Sequence, residues 1–196
     1  MPASAVSLYP VIRKVPETVC QLKGRSKVIQ LSRHARRALA VSAQKSGLRF
    51  GKPQKDDDGV PVPLDGVYWS LTHKSRFVGA VVASTAVGID LEEIKEVSPA
   101  MFRRIADEAE WSLSGRKSRV DFFRFWTAKE AVLKAVGMGM KGLSRCRIQR
   151  IADDRHLVLA YMGKSFLVEQ IQFHDHIAAV VTDGCRVEWS IEYGDG

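Results

Sequence analysis

The sequence predicts a mixed α+β fold, because two stretches have helical periodicity and several others have strand-like patterns. Residues 30–46 place Leu31, Ala35, Ala38 and Leu39 on one helix face, and Gly47 follows as a stop. Residues 121–136 form the strongest predicted helix, which Gly137 and Gly139 end. Short apolar or alternating runs predict strands at residues 67–71, 77–83, 87–91, 157–161, 166–173, 176–182 and 186–191.

The remaining segments connect these elements. Residues 51–66 are rich in glycine, proline and aspartate, which predicts a loop. Residues 99–111 predict a further helix, and a basic polar loop follows at residues 112–119. The break at residues 84–86 is the expected division between an N-terminal half, 1–85, and a C-terminal half, 86–196.

Composition limits the function classes. The 196-residue chain has a net charge of +8, and a basic surface favours a polyanionic partner, whether nucleic acid, acidic protein or phosphorylated cofactor. Three distant cysteines match no metal spacing and predict reduced thiols in a cytoplasmic protein. Residues 1–7 do not resemble a signal peptide, and the apolar run at 77–89 is too interrupted for a membrane span.

Two carboxylates follow a predicted buried strand. Asp90 and Glu92 are two residues apart, so on a strand they point to the same side. Such a pair suits a hard cation such as Mg²⁺ bound to a phosphate substrate. The alternative is that both residues begin a solvated loop.

The main helix carries a second group of polar side chains. Trp126, Glu130 and Lys134 are spaced by four and lie on one face, which Phe122 extends by a turn. The alternative is an amphipathic helix whose Glu-to-Lys pair contributes only a few tenths of a kcal/mol. A third segment ends in Thr72-His73, where a histidine beside a hydroxyl at a strand end can bind phosphate. A lone histidine is more often structural.

Together these three segments resemble phosphopantetheinyl transferases of the Sfp (surfactin) type. Residues 87–92 resemble the family's Gly-Ile-Asp-x-Glu signature, and residues 126–134 resemble its Trp-x-x-Lys-Glu-Ala-x-x-Lys signature. Residues 70–73 resemble its Ser-His segment. The order and spacing of all three agree with the family, and the resemblance covers about residues 30–145.

The resemblance implies an enzyme that moves the phosphopantetheine arm of coenzyme A onto a serine of an apo acyl or peptidyl carrier protein. It implies Mg²⁺, with Mn²⁺ as an alternative, bound by Asp90, Glu92 and Glu130. Glu130 would also be the base for the carrier serine, either directly or through a metal-bound water, and Lys134 would stabilise phosphate charge. The catalytic set is thus Glu130, Lys134 and His73, and coenzyme A contacts are expected from Ser70, Leu71, Thr72, His73, Asp90, Glu130 and Lys134.

The resemblance also implies the architecture. It predicts two similar halves, each a small antiparallel sheet packed with helices, with the active site between them. The N-terminal half would bind the phosphates of coenzyme A, and the C-terminal half would hold the metal and dock the carrier. The length matches the monomeric branch of the family.

The sequence departs from the family pattern at several positions. Thr72 stands where the family usually has serine, but it keeps the hydroxyl. The Gly-Lys-Pro-like element has two candidates, residues 51–53 and residues 59–61, so Lys52 or Lys55 would supply the charge. The family also has a basic helix residue that binds the ribose phosphate of coenzyme A, and Arg33, Arg36 and Arg37 are all candidates for it.

Other signals have weaker interpretations. On a strand His174 and His176 would share a face, which suggests a metal pair, but Asp175 is expected in a turn and no third ligand is near. The basic loop at residues 114–119 would form a docking surface for an acidic carrier. Met138, Met140 and Leu143 either form the apolar part of that surface or pack into the core. The competing functions are a basic nucleic-acid-binding protein and an inactive carrier-binding relative; neither nucleic acid nor membrane is the expected partner. The sequence does not identify the preferred carrier.

Overall fold

The structure, a computed structural model, describes residues 7–194. Outside it lie residues 195–196 and residues 1–6, on which the signal-peptide expectation mostly depends. Helices and small sheets are mixed along the chain, which confirms the α+β class. The helices are α1 (Glu17–Cys20), α2 (Gly24–Ser46), α3 (Pro99–Ile105), α4 (Glu108–Ser112) and α5 (Arg119–Ala135), with a 3₁₀ helix at Gly139–Arg145. None of these helices is both long enough and apolar enough to cross a membrane.

Thirteen strands are present in residues 7–194. They are β1 (Ser7–Leu8), β2 (Val11–Lys14), β3 (Gln54–Lys55), β4 (Pro61–Val62), β5 (Tyr68–His73), β6 (Phe77–Ala83), β7 (Ile89–Glu93), β8 (Arg147–Ile151), β9 (His156–Tyr161), β10 (Lys164–Phe173), β11 (His176–Val181), β12 (Arg186–Val187) and β13 (Ser190–Glu192).

The described chain divides into two compact units. The first comprises residues 7–87 and 184–194, and the second comprises residues 88–183. The last strands therefore lie with the first unit, whereas the sequence placed them in a C-terminal half. The functional roles assigned to the two halves stay predictions.

The first unit is built around a four-stranded sheet of order β13-β2-β6-β5. Strands β2, β6 and β5 pair antiparallel, whereas β13 pairs parallel to β2. Every residue of β6 is buried, and on one face of the sheet its Val78, Ala80 and Val82 pack against α2, which contributes Leu31, Ala35, Ala38 and Leu39. As predicted, α2 ends at Gly47, which adopts the left-handed conformation that favours glycine.

The second unit is a five-stranded antiparallel sheet of order β7-β11-β10-β9-β8, covered on one face by α5. Phe125, Ala128 and Val132 of α5 are fully buried against Leu157 and Leu159 of β9 and against Ile177 and Ala179 of β11. This packing fixes α5 above the strands that carry the predicted site.

Several elements differ from the sequence prediction. Helix α2 begins at Gly24, six residues before the predicted start, and the predicted loop at residues 51–66 contains β3 and β4. The helix expected at residues 99–111 is divided into α3 and α4, because Asp107 caps α4 and forms a capping box with Glu110. The strand expected at 186–191 is divided into β12 and β13: Glu188 N donates to Leu8 O and Ser190 N to Pro10 O, so the segment pairs first with β1 and then with β2.

Candidate active site

Gly88 brings the strand with the predicted carboxylates against the main helix. A Cβ atom at this residue would lie 1.9 Å from the carbonyl oxygen of Ala131 and 2.6 Å from the backbone nitrogen of Ala135. Only a residue without a side chain permits that approach of two backbones. The glycine of the Gly-Ile-Asp-x-Glu segment therefore sets the distance between β7 and α5.

An ion pair joins these two elements. Lys134 Nζ lies 2.7 Å from Asp90 Oδ1 and also donates to the carbonyl oxygen of Ile89 at 3.1 Å. The Asp90 side chain is only 5% exposed and that of Lys134 is 27% exposed, so water screens the pair weakly. The structure thus brings the two sequence segments into direct contact.

Asp90 and Glu92 share the face of β7 that α5 covers. Their partners in the sheet, Ala179 and Ile177, belong to the core beneath α5, and both carboxylates are buried. Glu130 lies on α5 one turn before Lys134 and is half-buried. The three carboxylates offer only oxygen donors, which fits Mg²⁺ or Mn²⁺. Their joint binding of one cation stays a prediction.

The aromatic part of the α5 face forms as expected. Phe122 is buried and its ring centroid lies 5.8 Å from that of the half-buried Trp126. Lys129, by contrast, points into the core: its Nζ lies 2.7 Å from Glu110 Oε1 and 2.6 Å from the carbonyl oxygen of Ile105. Sequence reasoning did not identify Glu110, although its place in the Asp-x-x-Glu capping box was a local signal.

The histidine segment lies in the first unit, on β5. Ser70 and Thr72 are buried on one face of the strand, and His73 is exposed at its end. Leu71 packs against the core that α2 covers, so His73, two residues later, lies on the same face of the sheet as α2.

Among the three candidate arginines, Arg36 lines a cavity. This cavity has a volume of about 330 Å³ and contains Arg36 and Leu39 of α2 on one side and Phe50, Gly51 and Pro53 on the other. Arg36 itself is exposed, as are Arg33, Arg37, Lys52 and Lys55. The structure therefore brings one of the candidate arginines to the first of the two Gly-Lys-Pro-like segments.

A second cavity, of about 400 Å³, lies in the second unit and was not predicted. Arg124, Arg155, Gln170 and Gln172 line it, together with Ile177, the sheet partner of Glu92. Burial lowers the pKa of Arg124, whose guanidinium donates to Gln170 Oε1 and to the carbonyl oxygen of Asp153.

The basic loop has local partners. Lys117 pairs with Glu108 at 2.6 Å, Arg119 with Glu96, and Arg116 with Asp121 at 3.5 Å. Met138 and Met140 are 37% and 41% exposed, whereas Leu143 is buried in the core. Of the three predicted apolar docking residues, the two methionines are therefore accessible.

Comparison with known proteins gives a consistent result. The family model described as the 4'-phosphopantetheinyl transferase superfamily matches residues 86–181. The chain is 36% identical over 113 residues to a 4'-phosphopantetheinyl transferase of Bacillus pumilus, and this alignment covers 54% of this chain and 48% of the relative. It is 30% identical over 152 residues to a putative 4'-phosphopantetheinyl transferase of Haemophilus influenzae, and this alignment covers 68% of this chain and 63% of the relative. The chain spans about half the length of the curated relatives that it matches.

Proposed function

Because the chain belongs to the 4'-phosphopantetheinyl transferase superfamily, Sfp type, we propose that it transfers phosphopantetheine from coenzyme A to a serine of an apo carrier protein. The observation that carries this proposal is the ion pair between Asp90 and Lys134, which joins the two motif segments. Both segments lie in the part of the chain that the family model matches.

The carboxylates would hold the metal. Asp90, Glu92 and Glu130 would supply oxygen ligands to Mg²⁺, or to Mn²⁺, and the bound ion would neutralise pyrophosphate charge. Lys134 pairs with Asp90 and would stand next to the site where phosphate charge accumulates. Charge neutralisation and alignment are the main requirements of phosphoryl transfer, so this chain needs no nucleophile of its own.

The residues of the first unit would bind coenzyme A. The Arg36 guanidinium and the backbone at Gly51 suit the nucleotide end of this ligand, with Lys52 or Lys55 adding charge. His73 at the end of β5 would donate to a phosphate, with Ser70, Leu71 and Thr72 holding that strand.

The carrier serine is the nucleophile in this reaction. Glu130 accepts the proton of its hydroxyl while the serine oxygen bonds to the phosphorus of the pantetheine arm. The bond from that phosphorus to the bridging pyrophosphate oxygen breaks, and adenosine 3',5'-bisphosphate leaves with the electron pair. Met138 and Met140 would contact the carrier, which is expected to be acidic because this chain carries a net charge of +8. We propose further that the enzyme acts in the cytoplasm as a monomer.

The test is a transfer assay followed by mass spectrometry. Purified protein is incubated with coenzyme A, Mg²⁺ and several apo carriers, beside Glu130→Gln and the exposed control Glu17→Gln. We expect one carrier to gain a single phosphopantetheine group, and Glu130→Gln or a chelator to stop this while Glu17→Gln does not.

The two competing functions predict other outcomes. If coenzyme A binds but no carrier gains mass, the chain is an inactive carrier-binding relative. If coenzyme A does not bind and DNA or RNA binds with strong salt dependence, the proposed transfer is refuted in favour of nucleic-acid binding.

A further inference from the structure

The hairpin between β10 and β11 brings together a histidine and two carboxylates outside the site described above. His174 and Asp175 form the turn, and His176 begins β11 opposite Glu93, the last residue of β7. The ligand atoms of Glu93, Asp175 and His176 all lie within 4.8 Å of one another. This group differs from the predicted pair of histidines: His174 is not part of it, and Asp175 and, through sheet pairing, Glu93 join His176 instead.

The position of the histidine is fixed by packing. Its side chain is fully buried, and its ring lies 5.8 Å from the ring of Phe173 with only 21° between the planes. Its Nδ1 atom is 2.7 Å from Asp175 Oδ1, and the Asp175 carbonyl oxygen accepts from the backbone nitrogen of Ile94 at 2.6 Å. The two carboxylates are half-buried, so a cation from solvent can reach a largely preformed group.

This group lies on the face of the sheet opposite to that of the predicted magnesium ligands. Side chains alternate along a strand, so Glu93 points away from the face that holds Glu92 and Asp90. Register supports this, because Glu92 pairs with Ile177 beneath α5, whereas Glu93 pairs with His176. One cation cannot be shared by the two groups.

We propose that Glu93, Asp175 and His176 bind a divalent transition-metal ion, of which Zn²⁺ is the best match. An imidazole nitrogen with two carboxylate oxygens suits Zn²⁺ better than Mg²⁺, which prefers oxygen alone. Three protein ligands leave a fourth position for water. The bound ion links the end of β7 to the start of β11 and so fixes the strand that carries Asp90 and Glu92. This inference does not depend on the proposed transferase activity.

The test uses the whole chain, freed of metal by a chelator. Calorimetric titration with Zn²⁺ gives the affinity, and pulsed electron paramagnetic resonance of the Cu²⁺-loaded protein reports nitrogen ligands. We expect coupling to an imidazole ¹⁴N nucleus, which a site made only of carboxylates cannot produce. We also expect Zn²⁺ to raise the melting temperature.

Four variants locate the site. His176→Gln should abolish the nitrogen coupling, and Glu93→Gln and Asp175→Asn, which change half-exposed residues, should each weaken Zn²⁺ binding at least about tenfold. The matched control is His174→Gln, which changes the neighbouring exposed histidine and should leave affinity and coupling unchanged. The proposal is overturned if wild-type protein shows no stoichiometric Zn²⁺ binding. It is also overturned if His174→Gln removes the coupling, or if Glu93→Gln and Asp175→Asn bind like wild type.

Discussion

The buried ion pair between Lys129 and Glu110 gives the sharpest test of how the second unit is held together. The two side chains are only 2% and 3% exposed, and their charged atoms are 2.7 Å apart. Glu110 also accepts from the backbone nitrogens of Ile148 at 2.7 Å and of Asp107 at 3.3 Å. One carboxylate thus connects α4, α5 and β8.

Lys129→Met removes the ammonium group and retains most of the side-chain volume. Glu110 then loses its closer counter-ion and keeps only Arg147, whose Nε lies 3.7 Å from Glu110 Oε2. Removing one partner of a buried pair costs about 3–5 kcal/mol, and the remaining Arg147 contact places the expected cost toward the lower end of that range. The double variant Lys129→Met/Glu110→Gln removes both charges, while the amide oxygen of glutamine can still accept from Ile148. We therefore expect the double variant to be more stable than Lys129→Met alone.

Urea unfolding followed by circular dichroism measures these free energies. The matched control is Lys117→Met, because Lys117 also pairs with a glutamate, Glu108, but both side chains are well exposed, at 45% and 85%. Exposed pairs contribute roughly 0–1 kcal/mol, so this variant should unfold almost like wild type. If Lys129→Met also costs less than about 1 kcal/mol, or if the double variant is the least stable, the buried pair does not hold these elements together.

Three further predictions concern Gly88, Lys134 and Cys146. Gly88→Ala should lower the free energy of unfolding in urea by at least about 1–3 kcal/mol, because the new methyl group meets the α5 backbone. The control Gly194→Ala should be neutral, since there is open space around Gly194. Equal effects of the two substitutions would refute the argument. Lys134→Met should lower the transfer rate by about 10²-fold or more while coenzyme A still binds, and a near-wild-type rate in the mass-spectrometric assay would contradict its role. Burial raises the pKa of the Cys146 thiol to about 12, so this thiol should react with a disulfide reagent only after unfolding. The native state holds this proton more tightly than the unfolded state. The free energy of unfolding should therefore fall by about 1.4 kcal/mol per pH unit as the pH rises from 9.0, the ordinary pKa of a cysteine, to about 12. The Cys146→Ala variant should lose this pH dependence.

Local patterns explain which elements could be predicted. Helices α2 and α5 were predicted because their apolar spacing is regular and glycine follows each of them. The contact between β7 and α5 could be expected from the resemblance, and Gly88 gives it a physical reason. The end of α3 was missed although Asp107 and Glu110 form a capping box, since the apolar pattern continues to Trp111.

Non-local pairing explains most of what the sequence did not predict. Glu93 is 83 positions from His176, and no periodicity indicates that β7 and β11 are neighbours. The same holds for Lys129 and Glu110, whose contact depends on how α4 is oriented against α5. The parallel pairing of β13 with β2 is also invisible in sequence, because an alternating strand has the same pattern in either sheet.

That pairing has a consequence for synthesis on the ribosome. Strand β2 is an interior strand of its sheet, but its neighbour β13 is translated only after all of residues 88–183. The second unit is continuous in sequence, so it can fold while the first is still incomplete and one side of β2 lacks its hydrogen-bonding partner. We expect nascent chains that stop before residue 190 to bind chaperones through β2 and to resist proteolysis only within residues 88–183.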